Sequence, residues 1–262
     1  MAVQWPTSQA LDQLGSVWYY IYSFEGPVYS GHHRVLMALP HYDEARLAAA
    51  MRQNPGAWWL VGNEPNDPYQ DNLSPEAYAA FYHRFERLAR RVDPTARLMP
   101  AGIANADWQW AEAFRAAYRR AYGRHPRVDA WNVHNYILEP DLDQLDQDAF
   151  RARLIAFREW MARAGEGHKP LVLSEFGVLM GLERHDTRYA PPEAISAYIH
   201  ETVAWLYATD YVQAWAWFAN HTSGLFNGDL YDAEERLTPY GVAYRDAIRA
   251  AIGNQEGRKD AP

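Results

Sequence analysis

The feature that most constrains the fold is an alternation of short apolar segments with longer helix-forming ones along almost the whole chain. The apolar segments predict strands at residues 2–5, 16–23, 34–39, 57–62, 97–103, 128–136, 171–175 and 212–218. The longer segments predict helices at residues 7–14, 42–53, 74–91, 107–122, 148–164, 192–209 and 239–252. The stretch between the second and third strands, residues 25–33, contains Gly and Pro and is too short for a helix with both connections.

Alternation of this kind predicts a parallel sheet, because each helix carries the chain back to the same end of the sheet. Eight such units predict an α/β protein, a compact closed (β/α)8 TIM barrel whose second helix is reduced or missing. A doubly wound open sheet is the alternative, but no Gly-rich phosphate loop follows the first predicted strand. In a barrel, functional residues are expected at the carboxyl ends of the strands.

Composition predicts a single large domain. The chain has 262 residues, of which 48% are hydrophobic, and no change of composition marks a linker. We expect one domain over residues 1–252 and a disordered tail over residues 253–262. The absence of cysteine excludes disulfides, thiolate metal sites and cysteine nucleophiles. His32, His33 and His41 lack the spacing of a metal site, so we expect neither a metal nor a cofactor.

Charge and hydropathy narrow the range of partners. A net charge of −8 without a basic stripe argues against nucleic acid. No stretch approaches the roughly 18 apolar residues of a membrane span. Residues 1–6 lack the basic and apolar regions of a signal peptide, which leaves open both a cytoplasmic protein and a secreted one with its signal removed. We expect a monomer.

The aromatic content is high, with 11 Trp and 18 Tyr. Both side chains carry a polar atom that needs a partner when buried, so a core alone does not call for so many of them. Flat aromatic surfaces that stack on sugar rings would explain the excess. Packing in the core, with some tyrosines at the surface, is the alternative for any single residue.

Two of the predicted strands each deliver a glutamate at the end of the strand. The apolar run 58–61 stops at Gly62 and is followed by Asn63, Glu64 and Pro65, and proline cannot continue a central strand. The run 171–173 is followed in the same way by Ser174 and Glu175. Two carboxyl groups delivered at strand ends are the parts that a glycosidase needs.

These motifs resemble those of retaining glycoside hydrolases of clan A. Asn63-Glu64-Pro65 on the fourth predicted strand resembles the clan's acid/base motif, and Glu175 within Ser-Glu-Phe-Gly on the seventh matches its nucleophile. His134 and Tyr136 on the sixth strand and Trp215 and Trp217 on the eighth extend the resemblance over residues 2–250. The compact early strands are similar to the small β-glucanases of the "glycosyl hydrolase catalytic core" type. The resemblance implies an O-glycosyl hydrolase that retains anomeric configuration.

The mechanism that the resemblance implies needs two carboxyl groups about 5–5.5 Å apart, one protonated and one ionised. Glu64 would give its proton to the departing oxygen and later deprotonate water, while Glu175 would attack the anomeric carbon. Tyr136 is expected to donate its hydroxyl to Glu175. Asn63 is expected to bind a sugar hydroxyl beside the reacting carbon, where the contact is worth most in the transition state.

The remaining candidate residues would bind substrate. His134 shares a strand face with Tyr136 and is expected in the same lining, with a satisfied core histidine as the alternative. Trp217 lies nearer its strand end than Trp215, so we expect Trp217 to be the platform under the reacting sugar and Trp215 to fill the barrel. Asn105 and Tyr22 are expected to form walls of the cleft. Trp18 and Tyr20 are weaker candidates for the same role.

One departure from the clan concerns the nucleophile. Many members carry an arginine near it on the second strand, but here that strand reads Trp-Tyr-Tyr-Ile-Tyr-Ser. Arg34 begins the next strand and is therefore expected at the opposite end of the barrel. The electrostatic support of Glu175 is left open by the sequence.

The function expected from these residues is cleavage of a β-linked glycan, foremost as an endo-acting β-glucanase. A β-mannan, β-xylan or exopolysaccharide hydrolase, a transglycosylase and a non-catalytic carbohydrate-binding barrel are the alternatives. The sugar and linkage depend on loops 24–33, 66–74, 137–147 and 179–191, whose shapes do not follow from the sequence.

Overall fold

The computed structural model describes residues 7–180, 190–222 and 228–259. The strands are β1 (Trp18–Tyr20), β2 (His33–Ala38), β3 (Trp58–Val61), β4 (Arg97–Pro100), β5 (Trp131–Asn135), β6 (Leu171–Phe176) and β7 (Val212–Trp217). The helices are α1 (Ser8–Leu14), α2 (Glu44–Gln53), α3 (Pro75–Val92), α4 (Trp108–Tyr122), α5 (Gln147–Arg163), α6 (Pro192–Ala208) and α7 (Pro239–Lys259). The predicted strand at residues 2–5 and most of loop 179–191 lie outside the described residues.

The helices begin where short polar side chains cap them. The Asp43 carboxylate accepts the first free amides of α2, and Ser74 caps α3 directly before Pro75 at its first position. Asp107 accepts two amides at the start of α4. At the other end of α4, Gly123 adopts φ 72°, a left-handed conformation that favours glycine. These local signals explain why the first six predicted helices are found with small shifts of their ends.

The strands form two parallel sheets, in the orders β1-β2-β3-β4 and β5-β6-β7. Between the sheets, an isolated parallel bridge joins Ile103 to Val133, and the Asp129 amide donates to the Leu98 carbonyl at 2.8 Å. A cavity of about 370 Å³ is lined by residues from both outer edges, among them Trp18 of β1 and Val212 of β7. The α/β class and the parallel pairing are as predicted, but the described residues do not form the closed eight-stranded barrel.

The two sheets nevertheless share one interior. A buried cluster takes side chains from strands of both sheets and from the segment before β5: Tyr20, Val35, Met37, Leu60, Met99, Ala130, Val172 and Ala216. A larger cluster lies between the outer faces of the sheets and the helices, and Trp59, Trp131 and Trp217 are completely buried within it. Strands buried on both faces are typical of parallel sheets. Because the strands pair in parallel within each sheet and at the bridge between the sheets, their carboxyl ends lie at one end of the molecule.

The loop between β1 and β2 and the last helix, α7, bear on the predicted architecture. The chain passes from β1 to β2 through residues 21–32 without a helix, as predicted, and the Tyr19 hydroxyl holds this loop through the Pro27 carbonyl at 2.8 Å. At the carboxyl end, α7 continues to Lys259, past the expected end at Ile252 and into the expected disordered tail. Gly253 weakens a helix without ending it, because its cost in a helix interior is only about 1 kcal/mol. No helix within the described ranges is long and apolar enough to cross a membrane.

Candidate active site

Glu64 projects from the turn that follows β3. Gly62 adopts φ 97°, and a side chain there would meet the Asp71 carboxylate at 2.9 Å. That carboxylate accepts the backbone amide of Asn63 at 2.7 Å, and the amide of Glu64 donates to the Gly102 carbonyl at 3.1 Å. Glu64 itself has φ 41°, a left-handed conformation uncommon for a residue with a side chain. Contacts on both sides of the turn therefore fix the direction of its carboxyl group.

A bulge between β5 and β6 brings Glu175 beside His134. Val133 pairs with Leu173, whereas His134 pairs with Glu175, so Ser174 is the additional residue on β6. The Ser174 hydroxyl lies 3.0 Å from His134 Nε2. Gly102 leaves the space for the imidazole, since a Cβ at that position would lie 2.0 Å from Nε2. The strand irregularity thus places a serine and a carboxylate around one histidine.

The two predicted glutamates meet at this histidine. His134 Nδ1 lies 2.7 Å from Glu64 Oε1 and 3.3 Å from Glu175 Oε2. Taking one atom from each residue, these three groups lie within 4.8 Å of one another. Such proximity is nearer to the separation of about 5–5.5 Å in retaining glycosidases than to the 6.5–9.5 Å of inverting ones.

Three tyrosine hydroxyls donate hydrogen bonds to Glu175. Tyr20 and Tyr22 both donate to Oε1 at 2.5 Å, and Tyr136 donates to Oε2 at 2.9 Å. Arg34 lies elsewhere, where its guanidinium donates to the backbone carbonyls of loop residues Glu25 and Gly26. Hydrogen bonds to a charged acceptor are stronger than neutral ones, so the hydroxyls supply the support that the sequence left open.

Burial and neighbouring charges shift the pKa values of these groups. Burial raises the pKa of Glu64, and the charge of Glu175 raises it further against the opposing effect of His134. Burial lowers the pKa of His134, but the carboxylates of Glu175 and Glu64 outweigh burial and leave it raised. Burial raises the pKa of Tyr20 and of Tyr22 well above the ordinary value, so both remain neutral donors. The raised pKa of Glu64 favours its protonated form.

Glu64, His134 and Glu175 are also the one group of three possible metal ligands among the described residues. Their separation is that of direct hydrogen bonds, and Glu175 already accepts three hydroxyls. A cation would have to displace those bonds. The donor set is therefore better suited to proton transfer than to holding a metal.

Both glutamates open into a cavity of about 590 Å³. Its lining is Tyr22, Leu39, Asn63, Glu64, Asp67, Tyr69, Gln70, Asp71, Ala104, Asn105, Tyr136, Leu138, Glu175, Leu179 and Phe218. The predicted residues Tyr22, Asn63, Asn105 and Tyr136 are thus all brought together at the cleft. Asn63 Oδ1 is buried and has no hydrogen-bond partner among the described residues, so it can accept a hydrogen bond from a sugar hydroxyl. Asn105 is exposed and has φ 58°.

Two predicted binding residues lie elsewhere. His134 is completely buried and absent from the cavity lining, so it contacts the two glutamates rather than substrate. Trp217 is completely buried too, and its indole donates to the Gly228 carbonyl at 2.6 Å. The expected Trp217 platform is therefore wrong, because that face of β7 packs against the helices. Phe218, on the other face, lines the cleft instead.

Sequence reasoning missed or undervalued several residues of the site. Tyr20 was only a weak candidate, although its place two residues before Tyr22 on one strand face was a usable signal. Phe218 directly follows Trp217, the residue that the sequence favours as the platform. The loop residues Asp67, Tyr69 and Gln70 carry no strand pattern, so the sequence indicates their loop, residues 66–74, but not the individual residues. Trp215 is half-buried and packs on Tyr207, outside the cleft.

Comparison with known proteins places the chain within a family. The family model described as "Glycosyl hydrolase catalytic core" matches residues 5–244. No curated protein sequence matches the chain.

Solved structures with a similar fold include three β-1,3-glucanases. A GH128 (subgroup II) endo-β-1,3-glucanase from Pseudomonas viridiflava has 24% identity and a TM-score of 0.72, covering 94% of this chain and 95% of that one. A subgroup I endo-β-1,3-glucanase from Amycolatopsis mediterranei, in complex with laminaritriose, has 21% identity and a TM-score of 0.71, covering 94% and 97%. A subgroup III curdlan-specific exo-β-1,3-glucanase from Blastomyces gilchristii, in complex with glucose, has 21% identity and a TM-score of 0.69, covering 93% and 96%. At these identities the likeness is one of fold.

Proposed function

The chain belongs to the glycosyl hydrolase catalytic core family and is an O-glycosyl hydrolase, and from this premise we propose that it cleaves β-glucans with retention of configuration. The observation that carries the proposal is the contact of Glu64 and Glu175 with one histidine, Glu175 being held by three hydroxyls. The similar solved structures are β-1,3-glucanases, which supports β-1,3 linkages as the first substrates to examine.

In the first step, the ionised Glu175 attacks the anomeric carbon and forms an ester bond to the sugar. The bond from that carbon to the departing oxygen breaks, and the oxygen takes the proton of Glu64. With Nδ1 of His134 protonated, its N–H donates to Glu64 Oε1, and Glu64 Oε2 then carries the acidic proton. Burial favours this protonated form, because it raises the pKa of Glu64.

In the second step, Glu64 is a carboxylate and acts as the base. It takes a proton from water while the water oxygen attacks the anomeric carbon, and the ester bond to Glu175 breaks. Inversion at each of two displacements gives overall retention. Tyr20, Tyr22 and Tyr136 then stabilise the carboxylate that is released on Glu175. If a sugar hydroxyl replaces water, the same intermediate gives transglycosylation.

The proposed binding groups are those at the cleft. Asn63 is proposed to bind the hydroxyl next to the reacting carbon, Phe218 takes the position expected of Trp217, and Tyr22 and Asn105 form the walls. A cleft that accommodates the chain on both sides of the scissile bond would give endo action. We also propose that the fold is a closed (β/α)8 barrel, which is supported by the interior shared between the two sheets, and that the protein acts as a monomer.

The test is the release of reducing sugar from β-1,3-, β-1,4- and mixed-linkage glucans, mannan and xylan. Activity on a β-glucan should be lost in Glu175→Gln and kept in Glu193→Gln, whose exposed carboxyl on α6 is a matched control. The first product seen by NMR should be the β-anomer. Equal activity of both variants, or an initial α-anomer, would refute the mechanism, and cleavage of mannan or xylan alone would refute the substrate.

A further inference from the structure

One aromatic side chain differs from all the others that the structure describes. Tyr69 has 81% of its surface exposed, and the other large hydrophobic residues exposed in the described part of the chain are aliphatic. The remaining tyrosines, tryptophans and phenylalanines of those residues are buried or half-buried. Since exposing an aromatic ring to water forgoes its hydrophobic stabilisation, the position of Tyr69 calls for a physical reason.

Tyr69 lies on the loop between β3 and α3 and lines the same cavity as Glu64 and Glu175. The two carboxyl residues are 9% and 5% exposed, so they lie at the floor of the cavity while the tyrosine lies at its mouth. A ring in this position can contact substrate without contacting the reacting carbon.

The loop that carries Tyr69 is held by hydrogen bonds. The Tyr69 amide donates to Asp67 Oδ1 at 2.7 Å, and the Asp67 amide donates to the Glu64 carbonyl at 3.0 Å. Asn66 connects the loop to Ala104 through two bonds, of 2.9 and 3.1 Å. A ring on a backbone fixed in this way loses little freedom on binding, which favours affinity.

The surroundings of the ring define the chemistry of its ligand. The cavity lining contains four carboxyl residues, Glu64, Asp67, Asp71 and Glu175, and no Lys, Arg or His is among its described residues. An anionic sugar such as a uronate would be repelled. The ring offers a flat apolar surface to the C–H face of a pyranose, while neighbouring Asp67 and Gln70 offer groups for its hydroxyls. An uncharged glucose unit fits these features.

We propose that Tyr69 is a sugar-stacking platform at the mouth of the cleft that binds an uncharged glucosyl ring remote from the scissile bond. The proposal rests on the β-glucan hydrolase function proposed above and adds a binding position to it. Remote binding of this kind raises the efficiency on long chains more than on short ones, because only long chains reach the platform.

The experiment compares kcat/KM of Tyr69→Ala, Tyr69→Phe and the wild type on laminari-oligosaccharides of increasing length. Tyr69→Ala should lose about two- to tenfold on the long substrates, the range typical of one aromatic contact, and nothing on the shortest cleaved substrate. Tyr69→Phe keeps the ring and should stay near the wild type. Val28→Ala is the control, since Val28 is 69% exposed and absent from the cavity lining.

A second measurement separates this inference from the proposed function. Binding of the same oligosaccharides is measured by calorimetry in Glu175→Gln, with and without Tyr69→Ala. An active wild type whose efficiency and affinity do not depend on Tyr69 would overturn the platform alone. A wild type that cleaves no glucan, but whose Glu175→Gln variant binds it through Tyr69, would overturn the function alone. Absence of binding to all of these oligosaccharides would overturn the platform.

Discussion

Replacing Tyr20 by Phe removes one hydroxyl from Glu175 and leaves the ring in place. The Tyr20 hydroxyl is fully buried and donates to Oε1 at 2.5 Å. A hydrogen bond to a charged group contributes about 1.5–3 kcal/mol. Without this bond, Glu175 keeps only two of the three hydroxyls that hold it. The nucleophile in the first step and the carboxylate released in the second step are then less well stabilised.

The expected loss of kcat/KM on a β-1,3-glucan is about 10- to 150-fold, which is the same free energy expressed as a rate. Tyr22→Phe should behave similarly. The double variant should lose less than the product of the two effects, because both hydroxyls serve one oxygen and the remaining one can move into better alignment. The assay is the initial rate at low substrate concentration, with folding checked by circular dichroism.

Tyr19→Phe is the matched control. Tyr19 is also fully buried on β1, but it faces the opposite side of the sheet and donates to the Pro27 carbonyl. We expect it to reduce the free energy of unfolding by about 1 kcal/mol and to leave kcat/KM unchanged. Wild-type efficiency in both Tyr20→Phe and Tyr22→Phe, or an equal loss in Tyr19→Phe, would refute the reasoning that the hydroxyls support the nucleophile.

Three further results are expected. Glu64→Gln should lower kcat/KM on a glucan by about a hundred- to ten-thousandfold and abolish the alkaline limb of the pH profile. The reason is that burial raises the pKa of Glu64 and keeps its acid form present to higher pH. An alkaline limb retained in the variant would argue against Glu64 as the acid. Gly102→Ala should lower activity and the thermal midpoint, because its Cβ would lie 2.0 Å from His134; an unaltered midpoint would contradict the packing. Burial raises the pKa of Asp229 to about 6, so the folded protein keeps this proton to a higher pH than the unfolded chain does. The free energy of unfolding should therefore fall as the pH rises from about 4 to about 6. In urea titrations, Asp229→Asn should show a smaller change over the same range of pH.

The tyrosine set around Glu175 shows how the aromatic content of the chain is used. Most of the aromatic rings are in the core, as the alternative of core packing predicts. A few lie at the cleft, where Tyr20, Tyr22 and Tyr136 act through their hydroxyls and Tyr69 presents its face. An arginine beside Glu175, as many members of the clan carry, would bring a positive charge close to the reacting carbon. Neutral hydroxyls hold the carboxylate without adding that charge.

The sequence alone determined the order of strands and helices and the placing of both glutamates at strand ends. These features depend on interactions between near neighbours in the chain, such as the Ser74 cap before Pro75 and the stop of an apolar run at Gly62. It also indicated Asn63 and Tyr136, because both lie at the ends of predicted strands, where a barrel places its functional residues.

Only the tertiary structure decided which face of each strand meets the cleft. A strand of a parallel sheet is buried on both faces, so hydropathy does not distinguish Trp217, which packs under the helices, from Phe218, which lines the cleft. The bulge at Ser174 and the space at Gly102 depend on residues distant in the chain. The pairing of β1 with the rest of its sheet likewise brings Tyr20 to Glu175 across 155 positions of sequence, a contact that no local pattern contains.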